Sequence, residues 1–147
     1  MLDAGDIKQS LAGWTSIGMG RADFSESVLP WKKSGDFREK GSVTLKAMEA
    51  MNQALLHLSV DCKLENAGRM LYLLAVPARY ANMDMVKVLG SRLRELAPNA
   101  EMREGSFFGA DNHAQVTVLI SELIYLERIK QFYERAARLG GEKKAKS

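Results

Sequence analysis

Residues Met70–Val76 read MLYLLAV, seven apolar or aromatic side chains with no polar residue between them. A strand that buries only one face alternates apolar with polar. An unbroken run this short instead fits a central strand covered on both faces. Arg69 opens it and Pro77 ends it. A chain with such a strand must bring other strands to its edges and helices to its faces.

The rest of the chain offers both. Asp3–Leu11 reads as a short helix or the end of one, and Gly13 breaks it. Thr15–Ala22 follows as a strand with Gly18 and Gly20 at alternate positions. Asp23–Gly41 is the least regular segment, holding Pro30, two glycines and the aromatics Phe24, Trp31 and Phe37. It reads as a long surface excursion pinned by its aromatics. Ser42 is placed to cap a helix whose Met48, Met51, Leu55 and Leu58 step by 3, 4 and 3, and which runs to about Ser59. Asn66-Ala-Gly68 is a turn.

Asn82 caps the next helix, with Asp84 in its first turn and Val86, Leu89, Leu93 and Leu96 on one face. Pro98-Asn99 stops it. Ala100–Gly109 reads as a strand, Asp111-Asn112 as a turn, and Gln115–Ser121 (QVTVLIS) as a β-branched strand. Glu122 opens a last helix with the stripe Tyr125, Ile129, Phe132, Ala136 and Leu139, stopped by Gly140-Gly141.

These elements predict an α+β fold: a small mixed sheet of about four strands packed in two layers against helices, with a late hairpin-like strand pair and an added C-terminal helix. One domain spans residues 1–139, with 23–41 as a surface insertion, and 140–147 form a basic flexible tail. Leu71, Leu73, Val76, Val116, Val118 and Ile120 are expected in or beside the core, with Met51, Leu55, Leu89 and Leu93 facing the sheet.

Charge narrows the function classes. The chain carries 21 Lys+Arg and 18 Asp+Glu. Seven of the basic and three of the acidic residues lie in 123–147, so the body is close to neutral and the end is basic. A nucleic-acid-binding domain carries a basic stripe on its body, and this one lacks it. No signal peptide and no apolar run of membrane-spanning length is visible, which reads as a cytoplasmic protein.

Little of the chain carries chemistry by residue type. Cys62 is the single cysteine and reads as a buried or inert thiol. His57 and His113 are far from each other in sequence and there is one cysteine, which leaves no Cys/His zinc site. Gly18-Met-Gly20 lacks the spacing of a phosphate loop and reads as tight strand packing. Met48 and Met51 are core filler. The basic tail is a solubilising end with room for a partner. Asp3 and Asp6 differ: three apart, they fall on the same side of a helical turn, although acids are also common at helix starts.

Several strings together resemble the C-terminal domain of the FtsZ/tubulin superfamily of filament-forming GTPases. Its inter-domain loop reads N-x-D-x-x-D-V-[KR] and is followed by a strand of the type A-L-M-G-x-G-x-A. Leu2-Asp3-Ala4-Gly5-Asp6-Ile7-Lys8 and Ser16-Ile-Gly-Met-Gly-Arg-Ala22 stand in that order. The stretch Lys46–Leu55 matches loosely the family's next helix, A-x-E-A-A-x-x-A-L. Arg69–Val76 and Asp84–Leu96 stand for its next strand and helix, and Gln115–Ser121 for its last strand, R-V-T-V-x-A-T. The resemblance covers residues 2–121.

It implies that Asp3 and Asp6 are catalytic in trans, completing the GTP site of the neighbouring subunit in a filament. GTP and Mg would belong to the parent protein, with no cofactor in this fragment, which would be inactive alone. The leading Asn of the motif falls at Met1, and the Gly-rich nucleotide-binding half is absent. That pattern reads as a fragment of a larger GTPase of cell division or cell shape. The helix after Ser121 is closer to tubulin and to archaeal tubulin-like shape proteins than to FtsZ. The competing reading is a free-standing α+β homo-oligomer that binds a small molecule between subunits.

Overall fold

The computed structural model describes residues 3–24, 36–109, 111–124 and 126–145. In chain order the elements are α1 (Ala4–Ser10), β1 (Ser16–Asp23), α2 (Asp36–Leu56), β2 (Arg69–Val76), α3 (Met83–Leu96), β3 (Glu101–Phe108), β4 (His113–Ser121) and α4 (Glu127–Ala145). Short 3-10 turns lie at Leu64–Asn66 and Ala78–Tyr80. The fold is α+β, as the sequence predicts.

The four strands lie in the order β1-β4-β2-β3. β4 is antiparallel to both β1 and β2, whereas β3 is parallel to β2. The expected late hairpin is therefore absent: β3 and β4 follow each other in sequence but sit on opposite sides of β2. The reason is in the side chains. β2 and β4 are the two most apolar strands and take the centre, with β2 buried on both faces as its composition requires. β3 carries Glu101, Arg103 and Glu104 and takes an edge, where charge blocks further strand pairing. Reaching that edge parallel to β2 requires a helical crossover, which α3 supplies.

One sheet face carries the main core. Val116, Val118 and Ile120 from β4, and Met70, Tyr72, Leu74 and Val76 from β2, meet Val43, Ala47, Ala50, Met51 and Ala54 of α2 and Met85, Leu89 and Leu93 of α3. On α2 the line of contact is not the methionine-leucine stripe. Met51 is fully buried, but Met48 and Leu55 only flank the core, as does Leu58 beyond the helix, which ends at Leu56 and not near Ser59, and alanines occupy the centre. Those alanines face Gly18 and Gly20. A Cβ at Gly18 would stand 1.9 Å from the Ala54 carbonyl oxygen, and one at Gly20 1.9 Å from that of Ala50. The glycines thus let helix and strand backbones touch, the packing role read for them from sequence.

α2 begins by Asp36, so Ser42 lies inside it rather than capping it, and residues 36–41 leave the surface excursion. Trp31 and the rest of 25–35 lie outside the described residues, as does Tyr125. Phe24 does act as a pin: its ring centroid is 4.5 Å from that of Tyr80, and Asn112 bonds its backbone on both sides. Asn82 caps α3, its Oδ1 accepting from the Met85 N–H at 2.7 Å.

Two expectations about the last helix are corrected. Glu122 does not open it: its φ is 53°, its N–H donates to Ala12 O, and Leu123 N–H donates to Trp14 O. The chain first crosses to the turn after α1, burying Leu123 and Leu126, and turns helical at Glu127. Nor do Gly140 and Gly141 stop it, for the backbone stays helical to Ala145. The stripe does not lie against the domain beyond Ile129, since Phe132 and Leu139 are exposed.

Candidate functional site

The opposite sheet face carries α1, which lies against β2 and β4. Leu71 and Leu119 are register partners on that face and are buried there, apart from the main core. On the flanking strands of that face, Ile17, Met19 and Phe107 remain exposed.

The two candidate acids stand at the start of α1. Asp3 is the N-cap, with extended backbone, and its Oδ1 accepts from the Asp6 N–H at 2.9 Å. Asp6 Oδ2 accepts in return from the Asp3 N–H at 3.1 Å. This reciprocal pair satisfies two of the orphan donors at the helix start. The other Asp6 oxygen accepts from Arg103 Nη1. Each carboxylate is therefore held by the backbone next to the other, and Asp6 is also tied to the sheet. Gly5 leaves room for this: a Cβ there would lie 3.0 Å from Asp3 Oδ1.

Sequence reasoning missed the residues that support the acids. Arg103 on β3 also donates to Gln9 Oε1 at 2.9 Å and pairs with Glu101 at 3.4 Å. Arg69 on β2 donates to the Gln9 carbonyl at 2.6 Å and pairs with Glu101 and Glu122. The signal available was the charge of β3, E-M-R-E, on an edge strand, but no spacing links Arg103 to an acid 97 positions away.

Chemically, the pair can accept a proton, orient a water or contribute oxygen ligands to a cation. Among the described residues, no group of three or more His, Cys, Asp or Glu side chains could hold a metal ion. Asp3 and Asp6 could thus contribute to a cation held mainly by another surface.

The other candidates stay apart from this pair. His57 is exposed at the end of α2. His113 is buried at the start of β4, 4.0 Å from Asp111, with its Nδ1 unbonded among the described residues. Cys62 is half-buried, and burial first, then Asp61, raises its thiol pKa above the ordinary value, which makes it a poor nucleophile. On the core face Tyr72 Oη lies 2.9 Å from both Val86 O and Glu104 Oε2. Burial, reinforced by Glu104, pushes its pKa well above the usual phenol range.

A β1-β4-β2-β3 mixed sheet, with two helices on one face and a short acid-capped helix on the other, makes an α+β domain whose fold matches parts of solved CetZ and FtsZ structures. CetZ1 from Haloferax volcanii, a GDP-bound monomer, matches with a TM-score of 0.73 at 19% identity, covering 95% of this chain and 39% of that one. CetZ2 from Haloferax volcanii, a GTPγS-bound protofilament, matches at 0.72 and 17% identity, covering 100% and 40%. The empty FtsZ dimer of M. jannaschii matches at 0.59 and 22% identity, covering 84% and 32%. No family model and no curated protein matches the sequence. The likeness is therefore one of fold, and the chain spans about two-fifths of the length of the CetZ proteins. Among the described residues no helix is long and apolar enough to cross a membrane.

Proposed function

We propose that this chain is the C-terminal half of a cytoplasmic, filament-forming GTPase of the FtsZ/tubulin type, serving cell division or cell shape, and that Asp3 and Asp6 act on GTP held by a neighbouring subunit. The observation that carries this reading is the position of the acids. They stand at the N-terminus of a short helix, braced by Arg103, on a fold shared with CetZ and FtsZ. Nucleotide and Mg would belong to the other half of the protein and reach these acids only across a subunit junction.

Phosphoryl transfer depends on positioning and on managing charge. A bare carboxylate beside a triphosphate is repelled, so these acids act one step away from it. They orient the attacking water, receive its proton, or donate an oxygen to a bridging cation. The bracing matters for this task, because a carboxylate already held in place loses no freedom when the junction closes. Asp3 is the more exposed of the two and is bonded through one oxygen, which makes it the better placed to meet a water. The neighbours' protofilament form supports self-association as the setting.

Small-molecule binding is less well supported. The groove between α3 and β3, lined by Val76, Met83, Val86, Phe107 and Phe108 among others, encloses about 170 Å³. That is below the roughly 300 Å³ at which ligand pockets begin, and the larger hollow of about 570 Å³ beside Asp61, Cys62, Lys63 and Glu127 has charged residues at three of these four positions in place of apolar walls.

In the intact protein, Asp3→Ala or Asp6→Ala should leave GTP binding and assembly in place and lower hydrolysis roughly 10²–10⁴-fold. Mixing a subunit that lacks the acids with one that has a dead nucleotide pocket should restore part of the turnover. Normal hydrolysis in both variants would reduce the pair to helix-start acids.

A further inference from the structure

Helix α4 is rooted in the domain and then leaves it. Leu126 is buried and Ile129 packs against the core, yet every residue from Lys130 to Gly140 is exposed. Phe132 is 66% exposed, Tyr133 62% and Leu139 64%. At 3.6 residues per turn these three fall with Ile129 and Ala136 inside about half of the helix circumference. Arg135 and Arg138 fall on the other half, and Arg128 borders the stripe. The apolar stripe anchored by Ile129 therefore continues outward with nothing against it among the described residues.

A projecting helix of this kind is weak in water. Gly140 and Gly141 each cost about 1 kcal/mol of helix propensity relative to alanine, and helices in proteins draw most of their stability from packing of an amphipathic face, which this segment lacks among the described residues. Charge decides what covers it. Residues 127–147 hold seven basic and three acidic side chains, whereas the body is close to neutral. A second copy of α4 would bring this positive charge against itself. An anionic lipid surface accepts both features at once: the aromatic-aliphatic half sinks to the headgroup boundary while the arginines meet lipid phosphates.

We propose that α4 is an interfacial anchor that lays its Phe132–Tyr133–Leu139 face into an anionic membrane surface without spanning it. The inference does not depend on the role of Asp3 and Asp6.

The test is vesicle flotation of the 147-residue chain with phosphatidylcholine vesicles, alone or mixed with phosphatidylglycerol, paired with circular dichroism. Binding is expected only with phosphatidylglycerol, weaker at high salt and accompanied by a gain in helix signal. Phe132→Ser with Leu139→Ser should abolish it, and Arg135→Gln with Arg138→Gln should weaken it roughly thirtyfold. All four side chains are exposed, so the thermal melt of both variants should match the parent. The idea is overturned by no binding to phosphatidylglycerol vesicles, by equal binding to neutral ones, by binding that Phe132→Ser with Leu139→Ser leaves intact, or by binding of this chain that the intact protein lacks, which would assign the stripe to a contact with the rest of the protein. It is equally overturned if the stripe instead drives self-association, seen as a dimer in sedimentation that the same pair of substitutions dissolves.

Discussion

The two faces of the sheet are built by different rules. On one, α2 and α3 close a dry core in which Gly18 and Gly20 touch the α2 backbone and Leu89 and Leu93 are fully buried. On the other, α1 has only seven residues, covers Leu71 and Leu119, and leaves Ile17, Met19 and Phe107 exposed. Stability is concentrated on the first face. The second holds the braced acids, where charge and hydrogen bonds set geometry and little apolar area is at stake. Substitutions should therefore divide: those on the core face move the melting temperature, and those on the α1 face move activity.

The sharpest break of this division is at the glycines. In Gly20→Ala the new methyl would meet the Ala50 carbonyl oxygen at 1.9 Å and the Ala54 nitrogen at 2.5 Å, and both are backbone atoms. Neither can rotate aside, so α2 must lift from β1 and open the core beside it. The expected loss exceeds about 4 kcal/mol, in the range reserved for gross repacking. Denaturant unfolding measures it, and a loss below about 1 kcal/mol would mean that the seam is not as tight as described. Leu93→Ala comes next, at about 2–5 kcal/mol, by cavity formation under α3.

These effects show what could be read from the chain. β2, β4 and α3 were legible because their apolar patterns state their burial outright. Asn82 and Asp84 were legible because capping is local. The pairing of β3 was not, since adjacency in sequence suggests a hairpin and only the competition for the sheet centre excludes one. The start of α2 was hidden because DFREKG carries no apolar stripe, and α4 was ended too early because a glycine pair usually stops a helix. At the site, Asp3 and Asp6 were visible as a local spacing. Their brace was not, because Arg103 reaches Asp6 only through the register of β2 with β3 and the seating of α1.

Tyr72 gives the core face a pH signature. Its hydroxyl is buried against Val86 O and Glu104, and its pKa is raised above the unfolded value near 10. Above that pH the unfolded chain releases the proton and the folded chain retains it. The unfolded state is then favoured, and stability falls as pH rises beyond about 10, with the full contribution present below it. Tyr72→Phe should flatten this alkaline decline while costing about 0.5–1.5 kcal/mol at neutral pH through the lost hydrogen bond. Melts between pH 8 and 11 compare the two, and parallel curves would assign the decline to other groups.

The smallest effect is expected at the brace itself. The Asp6 and Arg103 side chains are 31% and 30% exposed, so water screens their attraction. A double-mutant cycle of Asp6→Asn and Arg103→Gln should return a coupling of only about 0.2–1 kcal/mol in stability. The same cycle read as GTP turnover in the intact protein should behave differently. Arg103→Gln removes one of the two bonds that hold the Asp6 carboxylate and leaves only that from the Asp3 N–H, so turnover should fall although the acid is still present. In the Asp6→Asn background, removing Arg103 should cost little more, because there is no carboxylate left to hold. A stability coupling above about 3 kcal/mol, with turnover unaffected by Arg103→Gln, would place this ion pair among the groups that hold the fold and would erase the distinction between the two faces.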